Sequence, residues 1–203
     1  MLSHMPGAVK SRMGFVIAGG RSSRMGEDKA FLELGQVTLL ERALAAIRAV
    51  SESVAIVGEP AKFEKYGVPV PDIFPGCGPL AGIHAALIHS KADSNLMLAV
   101  DMPFVSSELL AFLFEVAENG EAVVTVPRVR NRTQPLCAVY RRDFADVAEQ
   151  ALRAGKYKVD AAFSGLKVRV IEENELAAAG FAEKCFFNVN TPQDRADAAD
   201  QLP

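Results

Sequence analysis

Leu96-Met97-Leu98-Ala99-Val100-Asp101-Met102-Pro103 is the stretch on which the fold turns. Five apolar residues in a row, with no polar alternate, describe a strand covered on both faces, as a central strand of a parallel sheet is. Such a strand needs helices above and below it, so the flanking sequence must alternate between strand and helix. Towards the N-terminus it does. Leu80 to Ile88 is apolar and helical, and residues 71–79 (Pro-Asp-Ile-Phe-Pro-Gly-Cys-Gly-Pro) form a loop. Val68 to Val70 reads as extended, Ala61 to Tyr66 as a short helix ended by Gly67, and Val54 to Val57 as a strand. Leu39, Leu40, Ala43, Leu44, Ile47 and Val50 recur at helical spacing behind a capping box of Thr38 and Glu41. Phe15-Val16-Ile17-Ala18, stopped by Gly19-Gly20, is the first strand.

The alternation continues towards the C-terminus. Ser106 and Ser107 cap a helix that runs to Asn119-Gly120. Strands are expected at Ala122 to Val126, Pro135 to Tyr140 and Lys167 to Ile171, and a helix at Asp143 to Ala154 with Gly155 as its stop. Phe186-Phe187-Asn188-Val189 is expected as the last strand. Thr191-Pro192-Gln193-Asp194 opens the last helix with a cap, a proline at the first position and an acid in the first turn. The expected fold class is α/β: a three-layer, mostly parallel open sheet with helices on both faces. It forms a single domain over 14–201, with 1–13 as a disordered N-terminal extension.

Composition supports a packed domain and narrows the function. The chain has 203 residues, 50% hydrophobic and 23% charged, which is enough to bury a core. A net charge of −3, aromatics at 7% and no Trp speak against a nucleic-acid binder. No apolar run reaches the ~18 residues of a membrane span, and the N-terminus has no apolar segment of a secretory signal. Cys77, Cys137 and Cys185 form no C-x-x-C and are expected as reduced thiols of a cytoplasmic protein. His84 and His89 fall five apart on one helix, off a common face, and are expected to be structural or surface residues.

In an open parallel sheet ligands bind beyond the C-terminal strand ends, at a topological switch point. Three loops there carry unusual chemistry. Ala18-Gly19-Gly20-Arg21-Ser22-Ser23-Arg24-Met25-Gly26-Glu27-Asp28-Lys29 is neither a Walker A loop nor G-x-G-x-x-G. It offers glycine-exposed amides with Arg21, Arg24 and Lys29, the donors and cations a polyphosphate requires. A solvated basic turn is the alternative. The second loop carries Asp72, able to accept from a ribose or purine edge, and glycines, Gly78 among them, that let a ring approach the backbone. Its alternative is a rigid crossover. The third holds Asp101. A carboxylate ending an apolar strand is costly unless a cation faces it, so Asp101 reads as a Mg²⁺ ligand, with an N-cap as the alternative.

The stretch from Ile17 to Lys29 resembles the L-A-G-G-x-S-x-R-M-G-x-D-K signature of the MobA-type nucleotidyltransferases, the molybdenum cofactor guanylyltransferases, with Ile17 in place of the usual Leu. Gly78-Pro79-Leu80-Ala81-Gly82, preceded by Asp72, resembles that family's second motif, Asp101-Met102-Pro103-Phe104 its Asp-x-Pro motif, and Asn188-Val189-Asn190-Thr191-Pro192 its late N-x-N-T-P. Gln134 to Arg142 matches a further strand in outline, with Arg128, Arg130 and Arg132 before it. These arginines are either a dock for a pterin phosphate or a solvated hairpin tip. The resemblance implies a Rossmann-like nucleotidyltransferase fold. It implies transfer of GMP from GTP to the phosphate of molybdopterin, releasing pyrophosphate, with Mg²⁺ as cofactor.

In that picture Arg21, Arg24 and Lys29 meet the phosphates. Ile17, Ala18, Gly19, Gly20, Asp72 and Gly78 line the nucleotide, Asp101 holds Mg²⁺, and Asn190 stands near the metal or acceptor. The partners expected are the two substrates and, transiently, molybdoenzymes or other maturation proteins, with no nucleic acid and no membrane. A cytidylyl- or sugar-phosphate nucleotidyltransferase is the rival enzyme. Related cytidylyl enzymes tend to show A-A-G where this chain has Ala18-Gly19-Gly20, which favours guanine. A non-catalytic nucleotide-binding maturation factor is the rival from another class.

Overall fold

The structure, a computed structural model, describes residues 11–19 and 28–202. Ten strands and seven helices are defined among them. In chain order they are β1 (Arg12–Ile17), β2 (Glu33–Leu34), β3 (Val37–Thr38), α1 (Leu39–Arg48), β4 (Ser53–Val57), α2 (Pro60–Phe63), β5 (Val68–Val70), α3 (Pro79–His89), β6 (Ser94–Ala99) and α4 (Ser107–Glu118). Then follow β7 (Val124–Val129), β8 (Arg132–Thr133), β9 (Cys137–Tyr140), α5 (Phe144–Arg153), β10 (Val168–Ile171), α6 (Glu173–Ala178) and α7 (Pro192–Ala199).

The main sheet runs β10-β7-β9-β6-β1-β4-β5, with β8 paired to β7. β1 lies parallel to both β4 and β6, and β4 to β5. β9 alone on this path runs against its neighbours, pairing antiparallel with β6 and with β7. Side chains of successive strand residues point to opposite faces, and β1 shows it: Val16 joins one core, Phe15 and Ile17 the other. The first core is closed by α1, α4, α6 and α7, the second by α3 and α5. The three-layer arrangement of the sequence reading is the arrangement found.

Two expectations need correction. Arg12 and Met13 belong to β1 rather than to an extension: they pair with Ser94 and Ser53, and Arg12 Nε donates to Glu118 Oε1 at 2.7 Å. The remaining N-terminal residues, 1–10, lie outside the described ones. Residues 186–189 form no strand. They leave a 3-10 turn, and Val189 N instead makes a single bond to Asp101 O at 2.8 Å, which fastens this segment to the end of β6.

His84 is 2% exposed between α3 and α5, with the Phe74 ring centroid 5.3 Å away and Glu149 Oε2 3.8 Å from Nε2. Burial lowers its pKa from the ordinary 6.5, opposed by Glu149 and Asp146 and assisted by Arg153. A histidine held neutral in the fold but free to charge when unfolded stabilises the fold above the ordinary pKa, and that stability is lost as pH falls below it. Thermal unfolding of the wild type is therefore expected to drop as pH falls from about 6.5 towards 5. In His84→Leu this component of the drop should disappear. Parallel pH profiles of the two proteins would refute the assignment.

Candidate active site

The chain leaves β1 on one side for β4 and β5, and returns after β5 to the other side of β1 as β6. The loops after β1 and β6 therefore open at a switch point, where a crevice is expected. Lys29 begins a 3-10 turn whose cap is Asp28, the side-chain oxygen accepting from Ala30 N at 3.2 Å. Ala30 is fully buried, and Phe31 stacks on Phe63 at 5.8 Å. The turn is thus seated by apolar neighbours.

Lys29 Nζ donates to Asn190 Oδ1 at 2.7 Å and stands 3.4 Å from Asp101 Oδ2. Lys29 and Asp101, 72 residues apart, meet over the ends of the two adjacent strands, each side chain 20% exposed. Burial pushes the Asp101 carboxyl above its ordinary pKa, and Lys29 pulls it part of the way back. Asn190 is positioned by the start of α7. Asp194 accepts from Asn190 N at 2.9 Å and Thr191 N at 2.8 Å, and Arg195 Nε donates to Glu33 O at 2.9 Å, tying α7 to β2.

Two cavities are lined by sequence neighbours of this cluster, Asp28 in one and Met102 in the other. A cleft of about 370 Å³ lies beyond the ends of β1, β4 and β5, walled by Ala18, Gly19, Asp28, Gly58, Glu59, Lys62 and Asp72. Burial raises the Asp72 pKa, and its Oδ1 is buried without a hydrogen-bond partner among the described residues. A second cavity of about 410 Å³ is lined by Met102, Gln134, Leu136, Tyr157, Lys158, Asp160 and Asn188, on the β9 side. Gly76 and Gly78 have φ of +80° and +75°, so this loop reaches the start of α3 through a backbone that L side chains resist. A larger cavity, about 740 Å³, is formed at the opposite end of the sheet near Gly120 and Lys167 and contains none of these residues.

A family model described as "MobA-like NTP transferase domain" matches residues 14–171. The chain belongs to the MobA-like NTP transferase family. It is 40% identical over 190 residues to a Pelotomaculum thermopropionicum protein named "Probable molybdenum cofactor guanylyltransferase", covering 91% of this chain and 90% of the relative. The crystal structure of molybdopterin-guanine dinucleotide biosynthesis protein A from Archaeoglobus fulgidus superposes with a TM-score of 0.82 at 29% identity, covering 93% of this chain and 97% of that one. The 2-C-methyl-D-erythritol 4-phosphate cytidylyltransferase of Thermus thermophilus, at 22% identity and a TM-score of 0.68 over 95% and 98% of the two chains, shows the same fold.

The MobA-like match ends at Ile171, so Asn190 enters the cluster on its own geometry. Gly20, Arg21 and Arg24 lie outside the described residues. The Gly19 amide corrects an expectation: it donates to Val57 O at 3.0 Å, sharing that carbonyl with Ala18 N just past the end of β1. Gly19 lines the cleft but offers no free N–H there. Arg128 is bound by Glu172 and Arg130 by Glu183, while Arg130 N donates to Glu173 Oε2. Two of the three hairpin arginines are thus already neutralised, which favours the solvated-tip alternative over the phosphate dock. Burial pushes the Cys137 thiol up to about 12. Sequence reasoning passed over Glu59 and Lys62, whose local pattern does not distinguish them from ordinary surface charges, and it read Asp194 as the first-turn acid of the last helix, as found.

Proposed function

We propose that the protein transfers GMP from GTP to the phosphate of molybdopterin, giving the guanine dinucleotide form of the cofactor and pyrophosphate. One observation carries this reading: the Lys29 ammonium, the Asp101 carboxylate and the Asn190 carbonyl meet in one cluster, whose sequence neighbours Asp28 on one hand and Met102 and Asn188 on the other line two separate cavities. The cleft holding Asp72 is assigned to the nucleoside and the cavity behind Met102 to the acceptor.

The acceptor phosphate has its second pKa near ~6 and is largely a dianion at pH 7, so no general base is needed. Its oxygen forms the new bond to the α-phosphorus. The bond from that phosphorus to the bridging oxygen breaks, and pyrophosphate leaves with the electron pair. The barrier lies in bringing polyanions together in line, and positioning with charge neutralisation supplies most of such catalysis. Lys29 contributes a cation at the phosphate end of the site, and Arg21 and Arg24 are assigned to the same phosphates. Asp72 accepts from the nucleoside, and Ile17, Ala18, Gly19, Gly20 and Gly78 form its backbone surround.

The residues fit Mg²⁺. Asp101 Oδ2 and Asn190 Oδ1 converge on one point, which a lysine ammonium occupies, so the place favours positive charge. Mg²⁺ takes few protein ligands and completes its shell with phosphate and water. Asp101 and Asn190 would hold it, and when bound it supplies further neutralisation of the phosphates. No helix among the described residues is long and apolar enough to cross a membrane, and the proposed setting is the cytoplasm, with transient hand-over to molybdoenzymes or maturation proteins.

The test is to incubate the purified protein with Mg²⁺, molybdenum-loaded molybdopterin and each of GTP, CTP, UTP and ATP, and to follow pyrophosphate and capped product. GTP-dependent capping is expected. Capping with CTP instead would make it a cytidylyltransferase, and tight GTP binding without pyrophosphate release would make it a non-catalytic maturation factor.

A further inference from the structure

The 370 Å³ cleft contains an ion pair that the phosphate chemistry does not use. Glu59 and Lys62 stand at the first turn of α2, just past the end of β4, with Lys62 Nζ 3.2 Å from Glu59 Oε2. The same ammonium donates to Asp28 Oδ2 at 3.2 Å. Asp28's other oxygen caps the turn that carries Lys29, so Lys62 is held on two sides and tied to the phosphate end of the cleft. Glu59 and Lys62 remain about half exposed, at 62% and 47%, and accessible to a ligand. The two carboxylates raise the Lys62 pKa, which keeps it charged.

A carboxylate beside an ammonium presents two acceptors next to a donor. Among the bases, guanine alone answers that order along one edge: adjacent N–H donors at N1 and the 2-amino group, then the O6 acceptor. Adenine and cytosine place an acceptor where a carboxylate needs a donor, and uracil offers a single N–H between two carbonyls. Charge-assisted bonds of this type are the stronger ones, and a carboxylate can take both donors at once.

Resting on the guanylyl-transfer reading above, we propose that Glu59 and Lys62 read the base, Glu59 accepting from N1–H and the 2-amino group and Lys62 donating to O6. Asp72, with its buried oxygen unpartnered among the described residues, is left to the ribose. Both readers are surface side chains, so their replacement leaves the packed core intact, and thermal melting serves as the control.

The discriminating probe is inosine, which keeps O6 and N1–H but lacks the 2-amino group. Calorimetric affinities for GDP, IDP and CDP, and kcat/KM for GTP, ITP and CTP, are measured on the wild type, Glu59→Gln and Lys62→Met. Glu59→Gln should weaken guanine about tenfold or more and bring the guanine-to-inosine ratio towards one. Lys62→Met should weaken guanine and inosine together, leaving their ratio unchanged while the preference over cytosine shrinks. Pyrophosphate affinity should stay within about twofold in Glu59→Gln. If the wild type prefers guanine and both variants keep that preference, the base-reading role is overturned while guanylyl transfer stands. Equal weakening of all three nucleotides by Glu59→Gln overturns it as well. A wild type that prefers cytosine overturns the guanine reading itself.

Discussion

Replacing Lys29 by methionine is expected to cut GMP transfer by about a thousandfold or more, the scale seen when a preorganised charge at a phosphoryl or oxyanion site is lost. Methionine keeps the length and apolar stem while removing the charge. The turn should persist, because Asp28 caps it and Ala30 and Phe31 seat it. The variant has a second signature. Asp101 loses the ammonium that lowers its pKa, so its carboxyl, already raised by burial, rises further. A carboxyl raised in the fold binds protons more readily there than in the unfolded chain, so stability falls as pH climbs through the window from its ordinary pKa to the folded one. Lys29→Met should therefore be less stable than wild type near pH 7 and converge with it in acid. A single-turnover assay and melting curves from pH 4 to 8 check both halves. Retention of wild-type turnover removes Lys29 from the phosphates.

Asp101→Asn is expected to abolish turnover to a similar degree while leaving the fold as stable as wild type at neutral pH, or more so. Asparagine discards a desolvated charge whose ionised form costs stability above the ordinary carboxyl range. Lys29 keeps its 2.7 Å bond to Asn190, so the variant does not strand a buried cation. Loss of activity together with lowered stability would point to a structural role for Asp101. Divalent-ion affinity in the presence of GTP, measured by calorimetry, should also fall. Unchanged affinity would place the metal elsewhere.

The layered sheet was legible because Leu96 to Val100 had no polar interruption and α1 advertised its cap in Thr38 and Glu41, both found as expected. The strand start at Arg12 was hidden because a charged residue and a glycine precede Phe15. It is long-range pairing, including the ion pair to Glu118, that extends β1 backwards. β6 likewise starts at Ser94: Asn95 sits fully buried, its amide donating to Ala92 O and Tyr140 O, a solution no local pattern announces. The β2–β3 pair and α6 are too short to show a period, and Phe186 to Val189 looked like a strand because apolar residues at a helix-free end satisfy the same pattern. At the site, Lys29, Asp72, Asp101 and Asn190 stood out through motifs. Glu59 and Lys62 acquire meaning only from the cleft they face.

The single strand that runs against its neighbours has a consequence for how such a protein diversifies. Every other strand on the main path finishes on the side of the sheet where β9 begins, so the run from Gln134 to Leu136 reaches the 410 Å³ cavity from the opposite direction. The 370 Å³ cleft is built by β1, β4 and β5 on one flank, and the wall of the 410 Å³ cavity is drawn from this reversed insertion and the 157–160 segment on the other. Lengthening or recomposing the stretch ahead of β9 thus reshapes one cavity while the other keeps its form; under the proposed assignment of the two cavities, such an architecture exchanges acceptors without relearning its nucleotide.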